Sequence, residues 1–163
     1  MKILFSILRE MADLPNDPDA VALALNSLGL AVEEMDVVGV PVPGVVTARI
    51  VRMEKHPDAA KVTRCFVDAG DGEERHVWCG ATNMQPGDIV PLATLGTSMP
   101  NGMEIARRGI LGIDSEGMLC SEVELGLSDE SSGLLILPSD SQLGVSPFEV
   151  LGIEHDVIFD LDL

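Results

Sequence analysis

The fold is decided by the stretch Lys61-Val62-Thr63-Arg64-Cys65-Phe66-Val67-Asp68-Ala69-Gly70-Asp71-Gly72-Glu73-Glu74-Arg75-His76-Val77-Trp78-Cys79, which has the pattern of a β-hairpin. Its two ends, Lys61–Asp68 and Arg75–Cys79, are rich in the β-branched and aromatic residues that strands favour. Between them lies Asp71-Gly72, a pair that suits the positive φ angles of a tight hairpin turn. The stretch therefore predicts two antiparallel strands, and with them a fold built from short strands.

Further short strands are expected on both sides of this hairpin. Apolar segments broken by Gly, Pro, Asn and Asp recur at intervals of roughly 10 to 20 residues, without a long helix between them. This spacing predicts a small barrel or sandwich, and a one-turn helix near its end fits a partly open barrel. The strands are predicted at Val45–Met53, Ile89–Leu95, Glu104–Leu111 and Gly133–Leu137, and the one-turn helix at Glu122–Leu125.

The first 39 residues carry mixed helix and strand signals. Asp17-Pro18-Asp19 combines an N-cap side chain, a proline at the first helical position and an acidic residue near the positive end of the helix dipole. Gly29 suits the end of that helix, and a strand is expected over Leu30–Val38. Lys2–Met11 has a helical or mixed pattern.

The last residues alternate between apolar and acidic side chains over His155–Leu163, which predicts a strand outside the barrel. Because the alternation continues to the last residue, we expect the chain to be a segment of a longer polypeptide. The predicted architecture is mainly β with an α+β flank. A β-barrel domain at residues 40–149 is inserted into a small α+β domain, made of residues 1–39 and 150–163 and truncated at its C-terminal end.

Composition favours a folded globular chain. Apolar residues make up 46% of the 163 residues, the mean hydropathy is +0.27, and no apolar run reaches the length of about 18 residues typical of a membrane span. The first residues lack the apolar core of a secretion signal, and the three cysteines are widely spaced. We therefore expect a cytoplasmic protein with no membrane partner.

The net charge of −17 is distributed unevenly. Eight of the ten Lys and Arg residues lie between residues 49 and 108, whereas residues 109–163 contain none. A polyanion would therefore be bound by the central block, although basic residues on a solvated sheet face would give the same count. The aromatic side chains available for base stacking there are few, Phe66 and Trp78. The candidate RNA-binding residues are Arg49, Arg52, Lys55, His56, Lys61, Arg64, Arg107, Arg108 and Ser121.

Patterns for other chemistry are weak. Cys65, His76 and Cys79 could surround a zinc ion, but no C-x-x-C pair occurs and a fourth ligand is missing. The sequence contains no G-x-S-x-G nucleophile turn and no glycine-rich phosphate loop. We predict no catalytic residue and no metal site in this chain.

Several motifs, in order along the whole chain, resemble the N-terminal part of the β subunit of bacterial phenylalanine–tRNA ligase. The most specific of them is Gly112 followed by the segment Ser115–Leu127. Where this family usually has His-Pro-Asn-Ala-Asp-Lys-Leu, the chain has Asp58, Ala60 and Val62 at the variable positions, which moves one negative charge within the loop. The other matching segments are Met1–Ile3, Leu8–Glu10, Gly29–Glu33, Gly44–Val46, His56–Val62, Cys79–Asn83 and Ala93–Gly96.

The resemblance implies a tRNA-binding OB fold of the EMAP-II type, inserted into a small α+β domain. It implies a non-catalytic accessory module of a ligase that attaches phenylalanine to its tRNA. In that family ATP and magnesium act in the partner α subunit, and the editing site lies further along the β subunit, so no cofactor is expected in this chain. The implied partners are tRNA, bound weakly through the OB face, the α subunit and the remaining β-subunit domains in an (αβ)₂ assembly, with no DNA.

Two alternatives remain at this stage. The barrel could be a structural module that docks on other domains of the subunit with little RNA contact, which the acidic segment 109–163 favours. It could also be a free-standing tRNA-binding chaperone of the EMAP-II type. Such a chaperone would not need residues 1–39 or the strand Val157–Leu163.

Overall fold

The computed structural model describes all 163 residues, and ten strands and three helices account for its regular structure. None of the helices is long and apolar enough to cross a membrane. By its internal contacts the chain divides into two compact units, one formed by Met1–Val40 with Glu154–Leu163 and the other by Pro41–Ile153. The elements are β1 (Lys2–Leu4), α1 (Phe5–Met11), α2 (Pro18–Ser27), β2 (Ala31–Val38), β3 (Val45–Lys55), β4 (Thr63–Asp68), β5 (Glu74–Cys79), β6 (Ile89–Thr94), β7 (Arg108–Ile110), β8 (Ile113–Ser115), β9 (Gly117–Leu119), α3 (Pro147–Val150) and β10 (Asp156–Asp162).

The first unit is a three-stranded antiparallel sheet in the order β1-β10-β2, packed with α1 and α2. The predicted alternation in β10 is confirmed, because Val157, Phe159 and Leu161 are buried in the core of this unit. The predicted start of α2 is also confirmed. The Asp17 carboxylate accepts hydrogen bonds from the backbone N–H groups of Asp19 and Ala20, at 3.0 and 3.3 Å.

The second unit is a nearly closed antiparallel barrel with the strand order β5-β4-β3-β6-β9. The barrel closes where the backbone N–H of Glu116 donates to the carbonyl of His76 at 2.9 Å and the N–H of Trp78 donates to Ser115 Oγ at 3.1 Å. The predicted mainly β architecture with a five-stranded OB-like barrel is therefore confirmed. Strands β7 and β8 form a separate hairpin between β6 and β9.

Inward-facing side chains of neighbouring strands fill the barrel. Ile50, Cys65, Val67, Val77 and Leu92 are completely inaccessible to solvent. Each such aliphatic side chain contributes on the order of 1.5–3 kcal/mol when it is fully buried. Because successive side chains of a strand point to opposite faces, this inward set also fixes which residues of β3, β4 and β5 face outward.

Three predicted elements of the barrel unit are wrong in detail. Over Glu104–Leu111 only β7 is a strand, because Ile105 instead pairs with the backbone of Gly96 and Thr97 in a local loop. In Gly133–Leu137 only Leu137 is bridged, to Ile89. Glu122–Leu125 is a turn and not a helix, since it ends within a few residues at Gly126, whose φ is +72°.

Candidate nucleic-acid interface

The outer surface of β3, β4 and β5 brings basic and aromatic side chains into rows across the sheet. Arg52 pairs with Phe66, and Phe66 pairs with His76 on the next strand. Two residues earlier on β4, Arg64 pairs with Trp78. The alternation of the strands thus places both arginines and both aromatic rings on the same face.

The arginines of this surface lie over the rings. The guanidinium carbon of Arg52 is 3.5 Å from the Phe66 ring centroid, and that of Arg64 is 4.8 Å from Phe66 and 5.6 Å from Trp78. These distances are within the range of cation–π attraction, worth roughly 0.5–1 kcal/mol at exposed sites. Phe66 and Trp78 are only 7% and 9% exposed, although their strands present them outward. The arginines cover Phe66, and Trp78 is also covered by His56 and by the β7–β8 hairpin.

His56 connects two loops beside this surface. Its ring is 4% exposed and packs on Trp78 with a centroid separation of 4.6 Å. Nδ1 accepts from the backbone N–H of Asp58 at 3.0 Å, and Nε2 donates to the Ile110 carbonyl at 3.0 Å, which requires the neutral tautomer protonated at Nε2. His56 therefore joins loop 56–62 to the β7–β8 hairpin from a buried position.

The basic candidate residues differ in whether a carboxylate is paired with them. Arg52 is paired with Glu54 at 2.8 Å and with Glu74 at 3.2 Å, and Arg107 lies 3.7 Å from Glu116. The other basic candidates have no carboxylate within 4 Å, so their charge is available to an external anion. These unpaired cations are Arg49, Lys55, Lys61, Arg64 and Arg108.

A family model described as "Putative tRNA binding domain" (tRNA_bind) matches residues 45–146, the segment that contains this surface. The chain belongs to this family.

The curated relatives of this tRNA_bind chain are phenylalanine–tRNA ligase β subunits. It is 46% identical over all 163 residues to the phenylalanine–tRNA ligase β subunit of Syntrophotalea carbinolica, and 43% identical to that of Anaeromyxobacter dehalogenans. It spans 20% of the length of each. The predicted resemblance to the ligase β subunit is therefore confirmed. A solved MetRS-related protein from Pyrococcus horikoshii aligns at 18% identity with a TM-score of 0.46, over 63% of this chain and 86% of that one.

Ser121 of the tRNA_bind unit lies in a different environment from the basic candidates. It is 8% exposed, and both its hydroxyl and its backbone N–H donate to the Glu124 carboxylate. These bonds cap the turn that follows β9. The polar atoms of Ser121 are thus used within its own turn.

The three residues considered for a zinc site, Cys65, His76 and Cys79, lie on opposite faces of the barrel sheet of the tRNA_bind unit. Cys65 pairs with Val77 inside the barrel, whereas His76 pairs with Phe66 on the outer surface. Cys79 is buried with Cys65 in the same core cluster. Burial raises the pKa of the Cys65 thiol to about 12, so this sulfur is a poor source of thiolate.

Sequence reasoning missed the hairpin residues that hold the site together. Glu116 bonds to His76 through its backbone and its carboxylate, and the Ile110 and Ile113 carbonyls accept from His56 and from the Trp78 indole N–H, at 3.0 and 2.8 Å. Carbonyl acceptors carry no residue-type signal. By contrast, the two strands that carry Arg64, Phe66 and Trp78 were predicted from the hairpin pattern, and the register that pairs Arg64 with Trp78 came from the structure.

Proposed function

We propose that this chain is the tRNA-binding accessory module of a phenylalanine–tRNA ligase β subunit and is itself non-catalytic. One observation carries the proposal: the segment matched by the tRNA_bind family, residues 45–146, contains eight of the ten basic residues of a chain whose net charge is −17. A concentration of basic residues in one segment of so acidic a chain favours binding of a polyanion by that segment.

Within this proposal the candidate residues have different roles. Lys55 and Lys61 are exposed, lack carboxylate partners and stand at the two ends of loop 56–62, where they contact phosphates. Arg49, Arg64 and Arg108 add positive charge without competing ion pairs. His56 is a positioning residue, because both of its ring nitrogens are already hydrogen-bonded inside the protein.

The role of the whole enzyme is part of the same proposal. The longer β subunit assembles with an α subunit into an (αβ)₂ ligase in the cytoplasm, which attaches phenylalanine to its tRNA with ATP and magnesium. The present chain contributes RNA affinity and no step of that reaction, so ATP and magnesium bind elsewhere in the enzyme.

Filter binding of a phenylalanine tRNA at increasing salt tests the RNA contact. Each phosphate contact adds roughly 0.7–0.9 to the slope of log K against log salt. The double variant Lys55→Ala/Lys61→Ala should therefore bind more weakly at about 20 mM salt and lose about 1.4–1.8 units of that slope. Lys2→Ala is the matched control, because Lys2 already faces Asp36 and Asp160 at 3.9 and 3.8 Å.

Absence of tRNA binding by the unmodified chain at about 20 mM salt, where counterion release favours binding most, would overturn the proposal. An unchanged slope in the double variant would show that the RNA is bound by other residues. A loss in Lys2→Ala about half as large as that in the double variant would show that only net charge matters.

A second candidate function is docking on other domains, favoured by the twelve acidic and no basic residues of segment 109–163. Val123 and Ile136 are 42% and 38% exposed in this segment and offer apolar contacts, whereas Leu125 is 2% exposed and belongs to the core. Under this function Val123→Asp would impair assembly of the whole enzyme. Lys55→Glu/Lys61→Glu would leave its tRNA affinity unchanged.

A further inference from the structure

A cavity of about 170 Å³ lies between the β7–β8 hairpin and the barrel strands β5 and β9. Most of its wall is apolar, formed by Trp78, Ile105, Ala106, Ile110 and Met118, and its charged side chains are Arg108 and Glu104. Ile105 and Trp78 are almost fully buried, while Ala106 and Arg108 are exposed. The cavity is therefore lined by apolar groups at its base and is open to solvent where the guanidinium lies.

The size of the cavity restricts what it can hold. At about 30 Å³ per water molecule it has room for roughly five or six waters, well below the 300–1,000 Å³ of typical drug-sized sites. A single flat ring system has a suitable size and would displace water from the indole of Trp78. The polar atoms of Trp78 do not oppose this, because its indole N–H already donates to the Ile113 carbonyl.

The cavity is continuous with the basic surface through Trp78. Trp78 lines the cavity and also contacts Arg64 and His56, which belong to that surface. Arg108 lines the cavity as well and has no carboxylate within 4 Å. A ring bound in the cavity would thus lie close to cations that can bind an attached phosphate.

We propose that this cavity binds one unpaired nucleobase of an RNA, with the adjoining phosphate on Arg108. The inference deepens the proposed tRNA-binding function, which by itself requires only phosphate contacts. The bound RNA must then have an unstacked nucleotide in a loop or at an end, because a base within a duplex could not enter the cavity. Apolar contact with the cavity wall, to which Trp78 contributes, would supply affinity that salt does not screen.

The test uses the fluorescence of Trp78, the only tryptophan in the chain, with adenosine 5′-monophosphate as the probe and ribose 5-phosphate as the base-free control. The nucleotide should quench Trp78 saturably, and the sugar phosphate should not. Ala106→Leu, which fills the mouth of the cavity, should weaken nucleotide quenching about tenfold and weaken binding of a single-stranded oligoribonucleotide by a similar factor. The matched control is Ala31→Leu, at an exposed alanine of the other unit, which should change neither.

The outcomes separate this inference from the proposed function. If the nucleotide leaves Trp78 unaffected and Ala106→Leu binds the oligonucleotide normally, the cavity is not a base site, even if tRNA still binds through phosphates. An apolar side chain of another protein segment as the true occupant would give the same negative result. Quenching by the nucleotide without any tRNA binding would support the cavity and overturn the proposed function.

Discussion

At the scale of single residues, burial determines the chemistry of the thiols. Cys65 and Cys120 are inaccessible to solvent, and desolvation raises the pKa of each from an ordinary value of 9.0 to about 12. Above pH 9 the unfolded chain releases these two protons and the folded chain does not. The free energy of unfolding should therefore fall as pH rises from about 9 to 12, by about 1.4 kcal/mol per pH unit for each thiol.

Urea unfolding followed by Trp78 fluorescence at pH 8 and pH 10 would measure this effect, with an expected loss of roughly 2–3 kcal/mol for the two thiols together. The chain contains no tyrosine, so no phenol titrates in this range. In Cys65→Ala/Cys120→Ala most of the loss should disappear, even though the variant starts from a lower stability. The same loss in that variant would assign the pH dependence to other groups, such as the Cys79 thiol, whose pKa burial also raises, or the amino groups.

Two candidate site residues show what sequence reasoning at this scale cannot supply. The basic character of Lys55 and Lys61 and their exposed loop were predictable from composition and turn residues. The burial of His56 and Ser121 was not, because it depends on the partners Ile110 and Glu124, which the fold brings to them. Polar residues in loops look alike in sequence whether they face solvent or a neighbouring turn.

At the scale of elements, the pairing of β6 with β9 depends on a close backbone approach. Gly117 pairs with Thr94, and a Cβ at Gly117 would lie 2.7 Å from the Ala93 carbonyl oxygen and 3.0 Å from the Leu92 side chain. The obstructing atom is backbone, so the strands themselves must shift. Gly117→Ala should therefore destabilise the barrel by about 1–3 kcal/mol in denaturant unfolding.

Gly80→Ala is the matched control for this prediction, because nothing lies within 4 Å of a Cβ at that position. Its effect on the free energy of unfolding should stay within about 0.5 kcal/mol. Similar stabilities for the two variants would show that β9 can move away from β6 without loss, and the tight pairing would then contribute little to the barrel.

Elements with local sequence signals were predictable, and elements without them were not. Strands β3 to β6 and helix α2 carry local signals, such as the hairpin pair Asp71-Gly72 and the cap Asp17-Pro18, that agree with the final structure. In the segments Glu104–Leu111 and Gly133–Leu137, buried or partly buried apolar side chains pack in the cores of the barrel unit although the segments do not pair along their length; these are Ile105, Leu134, Leu135 and Leu137. An apolar pattern reports burial, and the hydrogen-bonding partner must come from the fold.

At the scale of the whole molecule, charge is divided between the two units in a way that bears on RNA affinity. The unit Met1–Val40 with Glu154–Leu163 contains eleven acidic and two basic residues, and the unit Pro41–Ile153 contains sixteen acidic and eight basic residues. The first unit thus carries about half of the net negative charge and little of the positive charge. Negative charge on a unit tethered to the barrel lowers the affinity of the chain for a polyanion at low salt.

We therefore expect the excised unit Pro41–Ile153 to fold and to bind tRNA several-fold more tightly than the whole chain at about 20 mM salt. Its core includes Val42 and Phe148 close to its two ends, which favours independent folding. Because the Debye length shrinks from about 30 Å at 0.01 M to about 10 Å at 0.1 M salt, the difference should nearly vanish at about 0.15 M. Filter binding at both salts measures the ratio. Weaker binding by a folded excised unit would instead show that the first unit contributes RNA contacts of its own.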